Sequence, residues 1–416
     1  MLGLVPAELW DYGIADFVRG VATAVGRKEP ATSFRISGLD NCIPARSARA
    51  ALVTAIKALE LPPAARIGVP LYCCAVVFKA IKTASCRPRF IDVEPATFCM
   101  SAADLRAKSS EVDAVIAVHM FGNVSDIPRL QEAIPGKPII EDCALSLGSK
   151  LNGCITGSFG DAAVLSFRSG KYLSVGEGGA LFSKHEQIRA RAAEMISALQ
   201  APDRKAELVH VTKTFIRSTL RSKPFYGLVG YALWETYNRR VEFSEKSPVV
   251  QGQIYQTDLS LVRKRLTQLE RTIAIQRAHA DFFAQTLNFD ASMLCHERSN
   301  TFYNRYQYPL TFPSERYRDF MAVYLQKKQI DTSKPLQDAA PMATAHYGYK
   351  GDCPAAEQLS KRTLVIPTYH TLAQSEIERI ARYLNQGWAE ISSRNLSVGF
   401  TVHDASHPEI ATHVGV

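Results

Sequence analysis

A chain of 416 residues is too long for one simple hydrophobic core, so two domains sharing an interface are expected. Hydrophobic residues make up 46% and charged residues 21%, an ordinary soluble globular composition. No run approaches the roughly 18 uninterrupted apolar residues of a membrane span; the nearest, "PFYGLVGYALW" at 224–234, has 11. The net charge of +9 is spread among interleaved acids. It reads either as a solvated surface or as a preference for anionic ligands such as a phosphate or nucleotide. No arginine–aromatic pattern points to nucleic acid. The nine cysteines are odd in number and contain no CxxC pair, and Cys73 and Cys74 are adjacent. That suits neither a disulfide ladder nor a zinc site, so no metal is expected and a reducing cytoplasm is the simplest setting. The N-terminus "MLGLVPAELWDYG" lacks a basic segment followed by an apolar one, which argues against a secretory signal.

In chain order, "SARAALVTAIKALEL" (47–61) predicts a helix with Ser47 as N-cap. A strand "ARIGVPLY" (65–72) follows, then a helix over 76–84, a strand "RPRFIDVE" (87–94) and a strand "DAVIAVHMF" (113–121). Next come a helix over 126–134 and strands at 137–143, 162–167 and 179–183. Several of these strands are near-continuous apolar runs, the mark of strands buried on both faces in a parallel sheet covered by helices. The alternation predicts an α/β large domain. Residues 200–250 are rich in Lys, Arg and aromatics, with no clear strand signal. One long amphipathic helix is expected over 261–287, with Leu266, Leu269, Ile273 and Ala280 on one face. "RYQYPLTF" (305–312) reads as a strand, and a last helix over 375–387 carries a Ser375–Glu378 capping box. The expected organisation is a large domain over 1–255, a smaller α+β domain over 256–393 and a tail over 394–416.

The chemistry centres on "SFRSGKYLSVGEGGAL" (166–181). Lysine is a nucleophile only when neutral, and burial or a nearby cation lowers its pKa enough to make it so. The glycines around Lys171 allow tight turns and close approach of a planar group. Taken alone, Lys171 reads first as a surface residue on a glycine-rich loop. In "IIEDCALSLG" (139–148), Asp142 follows a buried-strand pattern, where open α/β sheets present ligand-binding groups. Taken alone it reads as a cap or a surface ion pair. A carboxylate at a strand end some thirty residues before a glycine-flanked lysine suggests a pyridoxal phosphate (PLP) site. There the lysine forms the Schiff base and the Asp pairs with the pyridinium nitrogen, so that the ring is an electron sink. The helix start in "ARSARAAL" (45–52) offers backbone N–H groups to an anion, and Ser166 adds a hydroxyl.

These pieces stand in the order of a known family. "SARAAL", "PLYCCAVVFKAI" with "RPRFIDVEPATF", "VIAVHMFGNVSDIPRL", "IIEDCALSLGS", "GSFGDAAVLSFRSGKYLSVGEGGAL" and "GYKGDCPAAEQLSKRTLVIPTYHTLAQSEIERIARYL" span about 45 to 385, with a gap in the middle. The chain resembles the DegT/DnrJ/StrS sugar aminotransferases, a branch of the fold type I PLP enzymes. The resemblance implies a mainly parallel sheet with helices on both faces and a smaller α+β C-terminal domain. It places Lys171 at the Schiff-base lysine, Asp142 at the partner of the pyridine nitrogen and Ser166 at a phosphate-binding hydroxyl. Ala48 and Arg49 fall on the turn whose amides hold the phosphate. Cys74 falls where a side chain, often aromatic, covers the ring. The implied reaction takes an amino group, commonly from glutamate, and passes it to a keto-sugar on a nucleoside diphosphate, for surface polysaccharide or a glycosylated metabolite. A homodimer is implied as well, because the family builds its sites at a subunit interface.

Three positions depart from the family pattern. Leu145 stands where Gln or His usually bonds the ring hydroxyl, and Cys74 replaces an aromatic. Near 251–258, Gln253 is the nearest candidate for an Asn-x-Arg-Met pattern that reaches the neighbouring subunit. The stretch before it, about 205–247, is longer than usual and holds Arg217, Arg221 and Lys223. It reads as a helical insertion packed on the dimer surface, or as a basic, aromatic-flanked surface that contacts a membrane or gathers anionic substrate. Two other functions stand beside the aminotransferase. One is a sugar dehydratase, although such relatives carry histidine at the position of Lys171. The other is a PLP-binding regulator or scaffold without turnover.

Overall fold

The computed structural model describes residues 3–26, 33–36, 38–233 and 249–393. Its central sheet uses β1 (Phe34–Ile36), β2 (Leu39–Ala45), β3 (Arg66–Pro70), β4 (Arg87–Ile91), β5 (Ala114–Val118) and β6 (Ile139–Asp142). After two short strands, β7 (Lys150–Leu151) and β8 (Cys154–Ile155), come β9 (Ala162–Ser166) and β10 (Gly179–Phe182). The spatial order is β1-β2-β10-β9-β6-β5-β3-β4. The block β9-β6-β5-β3-β4 is parallel, and β10 runs antiparallel to both β9 and β2. Every residue of β5 and β6 is buried, which is why their sequences run apolar without alternation. All six expected sheet strands are present.

The helices that matter for the site are α1 (Ile14–Val25), α2 (Ala48–Ala58), α3 (Ala75–Thr83), α4 (Ala102–Ala107), α5 (Ile127–Ala133), α6 (Glu186–Ser197) and α7 (Arg204–Leu220). Ser47 caps α2 as its sequence predicts, its Oγ accepting the Ala50 N–H at 3.2 Å. The long helix expected over 261–287 is two, Gln256–Leu266 and Leu269–Thr286. The break is one turn at Thr267 and Gln268, whose backbone stays near-helical and keeps Leu266 and Leu269 on the same buried side. A hydrophobic period cannot register so short an interruption. The last helix, Gln374–Ser393, starts one residue before the expected cap. Glu376, not Glu378, reaches back, accepting the Ala373 N–H at 3.3 Å, and Ser375 lies within the first turn.

One core lies between the sheet and α2 and α3, and it takes in Ala343, Tyr347, Cys353 and Leu359 from the C-terminal third. A second gathers Phe283, Leu310, Phe312, Leu325, Ile366 and Leu384 around the antiparallel pair Tyr308–Thr311 and Thr363–Ile366. Val5 joins this second core and bridges to Ile330, tying the start of the chain to it. We propose the second cluster as the heart of the smaller domain expected from 256 onward. Part of the long insertion, 234–248, and the expected tail, 394–416, lie outside the described residues.

Candidate active site

The parallel strands end on one edge of the sheet, and chain register sets what meets there. Asp142 closes β6 opposite Val118 and Val164. Ser166 closes β9 opposite Gly179 of β10. Gly179 in turn abuts the start of α2: a Cβ there would lie 2.4 Å from the Ala48 amide nitrogen and 2.6 Å from the Ser47 carbonyl carbon. Only glycine lets the strand pass so close behind that helix. Ala48 and Arg49 are the first helical residues, so their N–H groups have no intrahelical acceptor. Asp142, Ser166 and the α2 N-terminus therefore share one edge of the fold.

Between β9 and β10 the chain makes a tight excursion that carries Lys171. Ser169 N–H donates to the Gly176 carbonyl at 3.0 Å, and Phe167 N–H to the Gly178 carbonyl at 3.0 Å. Gly170 at φ +88° and Gly176 at φ +122° occupy backbone conformations that side chains rarely adopt. Gly176 is also pressed against α7, where a Cβ would meet Thr214 Oγ1 at 2.8 Å and His210 Nε2 at 3.0 Å. Lys171 is partly exposed as a residue, yet its amine is pushed down to about 8. Loss of hydration is the main cause and the Arg168 charge the next, while Glu8, Cys74 and Asp142 pull it back up. Burial pushes the Asp142 carboxyl above its usual range, opposed by the Ala144 N–H at 3.0 Å, Lys171 and His119.

Around this pair lies a shell that sequence reading did not single out. Tyr306 places its ring centroid 5.3 Å from the Lys171 Nζ, and its hydroxyl donates to the Gly170 carbonyl. Asn304 is fully buried and ties three segments together. Its amide donates to the carbonyls of Leu145 at 2.9 Å and Leu147 at 3.0 Å, and its Oδ1 accepts the Tyr306 N–H at 2.9 Å. Its own carbonyl accepts the Tyr172 hydroxyl at 2.6 Å. A small cavity beside Lys171 is lined by Glu8, Tyr172, Gln276, Tyr306 and His370, so the N-terminal segment and the second core both face the lysine. Asp142, Ser166 and Ala48 do not line that cavity. No short-range sequence pattern connects Glu8, Gln276 or Tyr306 to Lys171, because each arrives by tertiary packing.

His119, Glu141 and Cys143 offer three ligand atoms within 4.8 Å of one another. They are committed to internal bonds. Glu141 accepts N–H groups from Gly157, Phe159 and Gly160 at 2.7–2.8 Å. His119 Nδ1 accepts the Ser125 N–H at 3.0 Å, which leaves Nε2–H to donate to Glu141 at 3.0 Å. Burial pushes Glu141 upward, but these bonds outweigh it and hold the carboxyl below its usual range. The cluster pins the loops at 119–125 and 157–160 beside Asp142 and works as a brace.

The departures can also be placed. Cys74 is exposed at the N-cap of α3, within electrostatic reach of Lys171, and supplies no ring. Leu145 packs its side chain on the large core and contributes a carbonyl to Asn304. Gln253 donates to the Ser197 and Leu199 carbonyls at 3.1 and 2.9 Å, at the end of α6.

The chain matches the model of the DegT/DnrJ/EryC1/StrS aminotransferase family over residues 34–385. The chain belongs to this family. It is an aminotransferase with the α/β fold of the PLP-dependent sugar aminotransferases. Among curated relatives, a UDP-N-acetyl-3-dehydro-α-D-glucosamine 3-aminotransferase of Acidithiobacillus ferrooxidans is 24% identical over 87% of this chain and 88% of its own. The GDP-perosamine synthase of Escherichia coli O157:H7 is 23% identical over 82% and 84%. Among solved structures, a sugar aminotransferase of Micromonospora echinospora superposes with TM-score 0.73 at 18% identity, covering 92% of this chain and 100% of that one. The PLP form of a sugar aminotransferase of Streptococcus pneumoniae gives 0.72 at 18% identity, over 93% and 99%. DegT-family aminotransferases are PLP-dependent.

Proposed function

We propose that this protein binds PLP and transfers an amino group, with glutamate as donor, to a keto-sugar carried on a nucleoside diphosphate, working as a homodimer. The observation that carries the reading is Lys171, an amine pushed down to about 8, beside the buried carboxylate of Asp142. The donor set fits PLP. A cradle left open by Gly179 at the α2 N-terminus suits a phosphate, Ser166 adds a hydroxyl, and a buried carboxylate suits a pyridinium N–H. When bound, PLP supplies an electrophilic aldehyde and an electron sink. Ala48 and Arg49 would hold its phosphate through their amides, with Ser166. Asp142 would hold the ring nitrogen in its protonated form.

Lys171 then acts at a proton. With a pKa of about 8, about one amine in ten is neutral at about pH 7, against about one in 3,000 at the ordinary lysine value. That is roughly a 300-fold gain in the form that can attack a carbonyl or accept a proton. Tyr306 and Asn304 fix the direction of the lysine by holding the Gly170 carbonyl and the segments on either side. The relatives named for UDP- and GDP-linked sugars support the acceptor class.

The test is a two-step reaction. Purified protein loaded with PLP is treated with glutamate, freed of donor, and then offered nucleotide keto-sugars. The expected result is bleaching of the yellow colour by glutamate, followed by its return with formation of an amino-sugar nucleotide. A yellow protein that no amino donor bleaches would overturn the reading in favour of a PLP-binding scaffold.

A further inference from the structure

Among the described residues, nine of the ten large hydrophobic side chains that stand exposed lie in two stretches that pack together. Ile14, Val18 and Val25 are on α1. Val209 and Ile216 are on α7, and Phe225, Leu228, Val229 and Leu233 follow on the segment after it. Each is at least 43% exposed. The two helices are neighbours: Phe17 of α1 meets Phe215 of α7 at 4.9 Å between ring centroids, and Val211 fills the space over Gly20. On α1 the exposed positions 14, 18 and 25 share one helical face, opposite the buried Asp16 and Gly20. On α7, positions 209 and 216 do the same, opposite Val211, Thr214 and Ser218.

Charge on these stretches is one-sided. Arg19, Arg204, Lys205, Lys213, Arg217 and Lys223 are exposed between 13 and 26 and between 204 and 233. Asp16 and Glu207 there are buried and engaged; the exposed acid that borders them is Asp203, the N-cap of α7, whose carboxylate accepts the Ala206 N–H at 2.7 Å. Asp16 takes Lys264 and Arg265 at 3.0 Å each, and Glu207 takes the Gln256 and Thr257 N–H groups. Of the six exposed cations, Lys223 pairs with Glu376, and Arg204 donates to the carbonyls that end α1. An exposed apolar stripe bordered by cations that outnumber its one exposed acid, the capping Asp203, is the pattern of an interfacial surface on anionic lipid. The same charge opposes a second copy. A two-fold contact through this face would set cations against cations with only the helix-capping Asp203 to answer them.

We propose that α1, α7 and the segment 225–233 form a docking face for an anionic phospholipid bilayer, on which the enzyme lies peripherally. No described helix is long and apolar enough to cross a membrane. The proposal concerns where the protein sits and does not depend on its substrate.

The experiment is co-sedimentation of the full-length protein with vesicles of equimolar phosphatidylcholine and phosphatidylglycerol, and with phosphatidylcholine alone, across a salt series. The expected result is pelleting with the anionic vesicles, lost as salt rises and absent with phosphatidylcholine. Ile216→Glu combined with Leu228→Glu should weaken partition by about tenfold or more. Both positions are exposed, so transamination without vesicles should be unchanged. Protein left in the supernatant with anionic vesicles would overturn the proposal. So would a double variant that pellets like the wild type. If the double variant instead converts a larger species in solution to a smaller one, a second copy covers the face and the bilayer assignment falls.

Discussion

Changing Asn304 to Asp should separate a site-positioning role from simple packing. The substitution is isosteric and keeps the acceptor that takes the Tyr306 N–H at 2.9 Å. It removes the donor that holds the Leu145 and Leu147 carbonyls at 2.9 and 3.0 Å, and turns a carboxylate oxygen towards them. The buried Leu147 carbonyl then loses its partner at about 1–3 kcal/mol and the partly buried Leu145 carbonyl at less, so Asn304→Asp should cost about 1–5 kcal/mol. Thermal melting should fall by several degrees. The larger effect should fall on catalysis. Asn304 joins the segment after Asp142, the Tyr172 turn after Lys171 and the backbone of Tyr306. A displacement of the lysine by about 1 Å costs about 100-fold. We therefore expect kcat for the glutamate half-reaction to drop by about 10- to 100-fold at saturating PLP, measured by stopped-flow absorbance below the melting transition. A variant that melts early but turns over like the wild type would refute the positioning role. One that also melts like the wild type would refute the hydrogen-bond account as well.

The Lys171 amine is lowered first by dehydration, then by Arg168, and is raised by Glu8. Arg168→Gln should therefore move the acid limb of the rate–pH profile upward and Glu8→Gln should move it downward; a shared direction would contradict the assignment. Burial pushes Asp258 up to about 6, against His210 at 2.9 Å from both its oxygens. Its contribution to stability is present below 3.8 and is lost as pH rises through about 6. Asp258→Asn should flatten the melting temperature across that window, and an unchanged slope would rule the carboxyl out as its source. Leu145→Gln adds a hydrogen-bonding side chain where the family resemblance implies a partner for the PLP ring hydroxyl, and should slow PLP loss on dialysis; faster loss would contradict that role.

The parallel sheet was legible because strands such as "AVIAV" of β5 are buried on both faces and declare it by unbroken hydrophobicity. The glycines around Lys171 were legible as well, since Gly170 and Gly176 occupy conformations that side chains rarely take. β2 escaped notice because "LDNCIPA" mixes polar residues and a proline, and its place is fixed by pairing with β10. α1 was not singled out in the sequence, although Ile14, Phe17, Val18 and Val25 lie along one helical face. Glu8, Asn304 and Tyr306 had no motif of their own. They reach the lysine from opposite ends of the chain, where Val5 joins the second core and Tyr306 closes over Gly170. The insertion is the reverse case. Its helical character and basic, aromatic make-up were visible, but the exposed apolar face it shares with α1 required the fold.

The central claim is that Lys171 is the amine that joins PLP covalently. Borohydride reduction of the PLP-loaded protein, followed by peptide mass mapping, tests it directly. The account predicts one pyridoxyl group per chain, on the peptide containing Lys171, and none in Lys171→Ala. A label on another lysine, such as Lys79 of α3, or an unlabelled wild-type protein would contradict it.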